Sequence, residues 1–198
     1  MSRTIRFVVL GLVLASLAGC VGIRTPPPRY YTLRAPMASE PAALATRYYV
    51  TVGPVAVPES IDRPQIVVRE GENRVRLLEF DRWAEPLRGA VARLLAAEIG
   101  RRLPDAQVAA YGEYTGHSQA VHVLIDVRAF DSMPAEGVRL DVVWRVRAGE
   151  VEHSGSSRLL EPAATPSIEA LVQAHSRALA ALAEELAAVV LQLAPKKP

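Results

Sequence analysis

Residues 138–147 alternate strictly. Val138, Leu140, Val142, Trp144 and Val146 occupy one parity, and Arg139, Asp141, Val143, Arg145 and Arg147 the other. Patterning with a period of two places one face of a strand in a core and leaves the other mostly in water. Gly149-Glu150 follows, with glycine at the first central position of a two-residue type II′ turn. Folding the chain back at that turn sets Arg147 opposite Glu152, Trp144 opposite Gly155, Asp141 opposite Arg158 and Leu140 opposite Leu159. Two charge pairs, an apolar pair and a glycine that makes room for an indole agree on one register. An antiparallel hairpin is expected here.

Weaker signals supply the remaining elements. The run YYVTVGPVAV, residues 48–57, is rich in β-branched residues, and Gly53-Pro54 is expected to bend or interrupt it. Residues 65–69 and 74–80 flank Glu70-Gly71-Glu72-Asn73, a hairpin turn. In residues 120–130, Val121, Val123, Ile125 and Val127 share a face, with His122, Asp126 and Arg128 on the other, interrupted by Leu124. A helix is expected from Ala84 to Leu103, where Leu87, Val91, Leu94, Leu95 and Ile99 recur at helical spacing. Pro86 suits its first turn and Pro104 stops it. A second helix runs from Ser167 to Leu193 behind Thr165-Pro166. Its stripe of Val172, His175, Leu179, Leu182, Leu186, Val189 and Leu193 fits a coiled-coil seam or, more commonly, one helix face laid on a sheet. The expected class is α+β: a mainly antiparallel sheet of about six or seven strands with two long helices packed on it. No internal repeat is present.

The chain has one cysteine, Cys20. Before it, Met1 to Arg6 carries Arg3 and Arg6 without an acidic residue, and Phe7 to Leu17 is almost wholly apolar. A charged start, a short apolar core and small residues describe a secretory signal peptide over residues 1–19. As a helix, Ile5 to Ala18 would reach about 21 Å, short of the roughly 30 Å hydrocarbon core of a bilayer. Leu17-Ala18-Gly19-Cys20 resembles the lipobox of bacterial lipoproteins. That resemblance implies cleavage between Gly19 and Cys20 and acylation of Cys20, which anchors the chain in a membrane. The absence of aspartate after the cysteine, where Val21 stands, implies the outer membrane of a Gram-negative envelope, facing the periplasm.

Residues 20–46 then form an acylated cysteine and a Pro-rich tether. The stretch VGIRTPPPR, with three consecutive prolines, favours an extended form that spans up to ~28 Å. Tyr30-Tyr31-Thr32-Leu33 has strand propensity, and residues 35–46 look irregular. A single domain of residues 47–194 and a tail of residues 195–198 complete the chain. The formal net charge of +2 disappears with Arg3 and Arg6, so no basic excess points to nucleic acid.

No catalytic constellation emerges. His117, His122, His153 and His175 lack partners at metal-ligand spacing, and His122 with Asp126 reads as a solvated strand face. His175 falls on the apolar stripe of the last helix, as a core histidine with a hydrogen-bond partner. The segment HSGSS, residues 153–157, lacks the spacing of a nucleophile elbow and reads as a polar edge strand. A non-enzymatic protein without metal or cofactor is expected.

Three further stretches, in order after the lipobox, carry a family resemblance. They are Tyr30-Tyr31-Thr32-Leu33, the segment Val57-Pro58-Glu59-Ser60-Ile61-Asp62-Arg63-Pro64-Gln65-Ile66-Val67, and Trp83-Ala84-Glu85-Pro86-Leu87. Together they resemble the ABC-type transport auxiliary lipoproteins, the PqiC-like family, over nearly the whole mature chain. The resemblance implies an accessory component of a system built around MCE-domain proteins, which carry lipids or other hydrophobic molecules across the periplasm. It implies an MCE-domain partner and a ring-like homo-oligomer. Partner contact is assigned to Tyr30, Tyr31, Asp62 and Arg63. The competing reading of Asp62-Arg63-Pro64 is a turn before a strand, and of the tyrosines, packing of the tether. Trp83 reads as a core cap. An activator or assembly factor for another envelope machine, such as a cell-wall synthase, is the alternative function, and a lipoprotein hydrolase the third.

Overall fold

The computed structural model describes residues 26–34, 46, 48–113, 120–134 and 136–194. The leader, Gly19, Cys20, the start of the tether, His117 and the tail lie outside the described residues.

Eight strands form one sheet: β1 (Arg29–Tyr31), β2 (Tyr48–Ala56), β3 (Gln65–Arg69), β4 (Val75–Trp83), β5 (Ala106–Ala110), β6 (Val121–Met133), β7 (Gly137–Ala148) and β8 (Val151–Glu161). Two helices, α1 (Leu87–Arg102) and α2 (Ile168–Leu193), complete the α+β fold. The long strand β6 organises the sheet. Strand β7 pairs along one of its edges. The other edge is divided between β2, beside Val121–Asp126, and β3, which meets it at Val68↔Ser132. Beyond β2 lies β5, and beyond β3 lie β4 and β1.

The β7–β8 hairpin has the expected register. Arg147 stands opposite Glu152, Trp144 opposite Gly155, Asp141 opposite Arg158 and Leu140 opposite Leu159. Gly149 has φ 57°, and Glu150 has no positive φ, as a II′ turn requires. Arg158 pairs with Asp141 at 3.3 Å, whereas Glu152 reaches diagonally to Arg145 at 3.4 Å instead of across to Arg147. The β3–β4 hairpin also forms, with Glu70 N–H donating to Arg74 O at 3.0 Å. In β2 the pairing with β6 shifts register between Val52 and Val55, around Gly53 at φ 112°.

Strand number and pairing direction differ from expectation. The sheet has eight strands, not six or seven, and is mixed rather than mainly antiparallel: β1–β4, β2–β5, β2–β6 and β3–β6 are parallel. The physical reason is that parallel partners are joined by crossovers and not by hairpins, so no local turn announces them. Strands β1 and β5 are also only three and five residues long, too short to show alternation. Helix α1 begins at Leu87, three residues after the expected start. The amides of Trp83 and Ala84 are taken by Pro64 O and Tyr31 O, and Pro86 is the extended N-cap residue.

Both helices cover the same face of the sheet. Helix α1 packs on β2 and β5, and α2 on β6, β7 and β8, with the two helices touching each other. The stripe on α2 is therefore a face laid on a sheet. Leu179, Leu182 and Leu186 are wholly buried in the core cluster that also holds Val123, Leu140 and Val146. At roughly 1.5–3 kcal/mol per buried leucine side chain, this layer dominates stability. Ser167 caps α2, its hydroxyl accepting from Ala170 N–H at 3.2 Å. The opposite sheet face carries ion pairs, among them Arg128–Asp126 at 2.7 Å and Asp131 with both Arg69 (2.9 Å) and Arg139 (2.6 Å).

Candidate functional site

The three sequence stretches that follow one another along the chain meet at one corner of the fold. Strand β1 lies parallel on the edge of β4, with Arg29 beside Asp81, Tyr30 beside Arg82 and Tyr31 beside Trp83. Ala84 N–H donates to Tyr31 O at 2.9 Å, tying the first stretch to the third. Trp83 N–H donates to Pro64 O at 2.7 Å, tying the third to the second. A cleft of about 380 Å³ opens between the second and third stretches, lined by Asp62, Arg63, Pro64, Trp83, Glu85 and Pro86, among others.

Each wall of this corner has its own support. Asp62 ends a turn in which Ile61 and Asp62 N–H both donate to Pro58 O, at 3.1 and 3.2 Å. Its carboxylate accepts from Arg88 of α1 at 2.9 Å, so the loop is pinned to the helix. Arg63 is exposed, and among the described residues its guanidinium has no ion-pair partner. Trp83 is buried and meets Phe130 edge-on at a centroid distance of 6.2 Å, and His175 at 6.5 Å. It is a core cap, as its position suggested, that also lines the cleft.

Tyr30 and Tyr31 part company. The side chain of Tyr30 is exposed, while Tyr31 is half-buried and donates its hydroxyl to Asp81 at 2.8 Å. Asp81 also holds Arg29 in a two-point contact, both at 2.9 Å. Burial, followed by the hydrogen bond to Asp81, pushes the Tyr31 phenol above its usual pKa. Tyr31 therefore fastens the chain to the domain, and of the tyrosine pair only Tyr30 is free to meet another molecule. A second groove of about 680 Å³ runs between Tyr30, Thr32 and Arg34 on one side and Glu169, Gln173 and Arg177 of α2 on the other.

Asp81 is the residue that sequence reading missed. It is a buried carboxylate in β4 with two partners on β1. The signal available was an acid flanked by Phe80 and Arg82 in an otherwise strand-like run, which does not by itself reveal a partner fifty residues away.

The histidines are not assembled. His122 and Asp126 sit on β6, but Asp126 is taken by Arg128, and no group of three metal-ligating side chains exists among the described residues. His153 is exposed on β8. Ser157, four residues further along β8, accepts from Trp144 Nε1 at 2.9 Å and donates to Glu185, a structural chain under α2. One Ser–His contact does exist, between Ser132 Oγ and His175 Nε2 at 2.9 Å. Both residues are buried, the ring stacks on Phe130 at 3.8 Å, and among the described residues Nδ1 has no partner. A hydrolytic dyad needs an acid on Nδ1 and access for a substrate, and among the described residues this pair has neither. Desolvation lowers the His175 pKa to about 3, so the ring is neutral.

A family model described as ABC-type transport auxiliary lipoprotein component matches residues 31–187. No curated protein matches the chain significantly in sequence. Two crystal structures share the fold. One, of an uncharacterized protein, superposes with a TM-score of 0.72 at 17% identity, covering 83% of this chain and 99% of the other. The second, a Xanthomonas campestris protein of the DUF330 family, gives 0.65 at 17% identity, covering 83% and 96%.

Proposed function

The chain belongs to the ABC-type transport auxiliary lipoprotein family, and on that premise we propose that it is a non-enzymatic accessory lipoprotein of an MCE-domain transport system. It moves no cargo through chemistry of its own. It holds a partner at a membrane while lipids or other hydrophobic molecules cross the periplasm. Acylated Cys20 anchors it in the outer membrane, and the MCE-domain protein meets the corner formed by Arg63, Asp62 and Tyr30. A ring-like homo-oligomer presents that corner repeatedly.

One observation carries this reading. The three stretches that resemble the family are spread over nearly sixty positions yet are hydrogen-bonded in series at one corner, where the second and third line a cleft. Pinning a loop to a helix through Asp62 and Arg88, while leaving Arg63 and Tyr30 exposed, is the arrangement a docking corner needs. The buried, acid-free Ser132–His175 contact gives catalysis no support.

The test is crosslinking and pull-down of the acylated protein from its native envelope, with Cys20→Ala as control. Recovery of an MCE-domain protein, lost or reduced in the control, supports the reading. Recovery of a cell-wall synthase instead would transfer the chain to the alternative function.

A further inference from the structure

We propose that the β1–β4 edge of the sheet is a membrane-contact surface, seated in the headgroup region of the bilayer that holds acylated Cys20; the inference rests on that anchor reading. Nine large hydrophobic side chains are exposed among the described residues; Val75 (43%), Leu77 (37%) and Phe80 (37%) lie on the open length of β4, and Tyr30 belongs to the docking corner beyond them. The other five are distributed singly over β7, β8, α2 and the end of β5, as ordinary surface residues are.

The edge is open for a reason written in the sequence. Strand β1 pairs only with Asp81–Trp83. The residues that would continue it along β4 are Pro26, Pro27 and Pro28, which have no N–H to donate. Among the described residues the outer backbone of Val75–Phe80 therefore has no strand partner, beside exposed apolar side chains. A bare, apolar edge is a liability that folded proteins cover or blunt.

Chain connectivity supplies the occupant. Cys20 precedes Arg29 by nine positions, so at about 3.1 Å per residue the acyl anchor lies within ~28 Å of the start of β1. The tether thus delivers the bilayer to the edge where the apolar patch is. The composition suits an interface: an aromatic ring at headgroup level, with long arginines whose stems lie along apolar surface while their heads stay in water. Arg74 and Arg76 share Glu70, and Arg82 donates only to Glu79 O among the described residues. Arg29, Arg74, Arg76 and Arg82 are balanced by Glu70, Glu72, Glu79 and Asp81, so apolar and aromatic insertion drives the contact, and anionic lipid charge does not.

The acylated full-length protein makes the test direct, because acylation blocks Cys20 and an introduced cysteine is then the sole free thiol. Spin labels at Leu77→Cys and, on the ion-paired face, Val143→Cys are compared in phosphatidylethanolamine–phosphatidylglycerol vesicles. The oxygen-to-nickel-chelate accessibility ratio at position 77 is expected to exceed that at 143 several-fold, and to persist in roughly 0.5 M salt. Vesicle flotation and the acyl mass on Cys20 report the anchor separately. Absence of the acyl mass overturns the anchor and this proposal with it. An acylated, floating protein whose two labels are equally aqueous overturns the membrane contact alone. Spin–spin broadening at position 77 would assign the edge to a second copy and overturn it as well.

Discussion

The indole of Trp144 lies across Gly155 so closely that a Cβ on that glycine would stand 2.4 Å from Cζ2. Indole and glycine face each other across the β7–β8 ladder, and Trp144 Nε1 donates to Ser157, which is bonded in turn to Glu185 of α2. Gly155→Ala must displace the ring and that chain of bonds. It is expected to lower the unfolding free energy by about 1–3 kcal/mol, read by urea titration. Trp144→Leu in the same background should recover part of the loss. Strict additivity of the two changes would show that the clash is relieved elsewhere.

That hairpin was legible because side chains on both strands had to satisfy one another, and only one register did so. The α2 stripe and the buried His175 were legible for a similar reason: periodicity reports which face is inside. Pairing between distant segments was not. Residues Ala106-Gln107-Val108-Ala109-Ala110 form β5 only because α1 returns the chain alongside β2, and no pattern in five residues says so. Asp81 was hidden likewise, since its partners arrive from β1. Glu98 was recoverable in principle. It falls on the apolar stripe of α1 between Leu95 and Ile99, with Arg101 and Arg102 one turn later, and it is fully buried in contact with both. At the candidate site the order of the three stretches was visible, but their convergence was not.

Neutral His175 makes stability depend on pH. Its folded pKa, about 3, lies below the ordinary value of 6.5 because burial disfavours the imidazolium. Below pH 6.5 the unfolded chain takes up a proton that the folded chain refuses, so this contribution is full above 6.5 and is lost progressively as pH falls toward 3. At pH 5 the loss is about 2 kcal/mol. His175→Leu removes the titrating group, and its unfolding free energy should fall less than that of the wild type between pH 7.5 and pH 5. Parallel pH curves for the two proteins would show that His175 does not carry the effect.

Asp81 latches β1 to β4, and its removal should be felt locally first. Asp81→Ala leaves the Tyr31 hydroxyl without its acceptor, at a cost of about 1–2 kcal/mol, while solvent-facing Arg29 adds little. Hydrogen exchange separates this from global loosening. The Ala84 amide, bonded to Tyr31 O, should exchange much faster, whereas the Trp83 amide, bonded to Pro64 O, should keep its protection. Equal acceleration at both amides would mean that the corner opens as one unit.

Arg63 and Tyr30 should matter to a partner and not to the fold. Both are exposed, and neither guanidinium nor phenol has a salt bridge or side-chain hydrogen bond among the described residues. Substitutions at such positions ordinarily change stability by no more than about 0.5 kcal/mol. Arg63→Glu and Tyr30→Ala are therefore expected to melt with the wild type while recovering several-fold less partner in the envelope pull-down. Asp62→Ala provides the contrast: it frees Arg88 and the loop, so it should lower partner recovery and also loosen the loop, seen as faster exchange of the Asp62 amide bonded to Pro58 O. Full recovery with Arg63→Glu and Tyr30→Ala together would move the docking surface away from this corner and from the groove that Tyr30 lines.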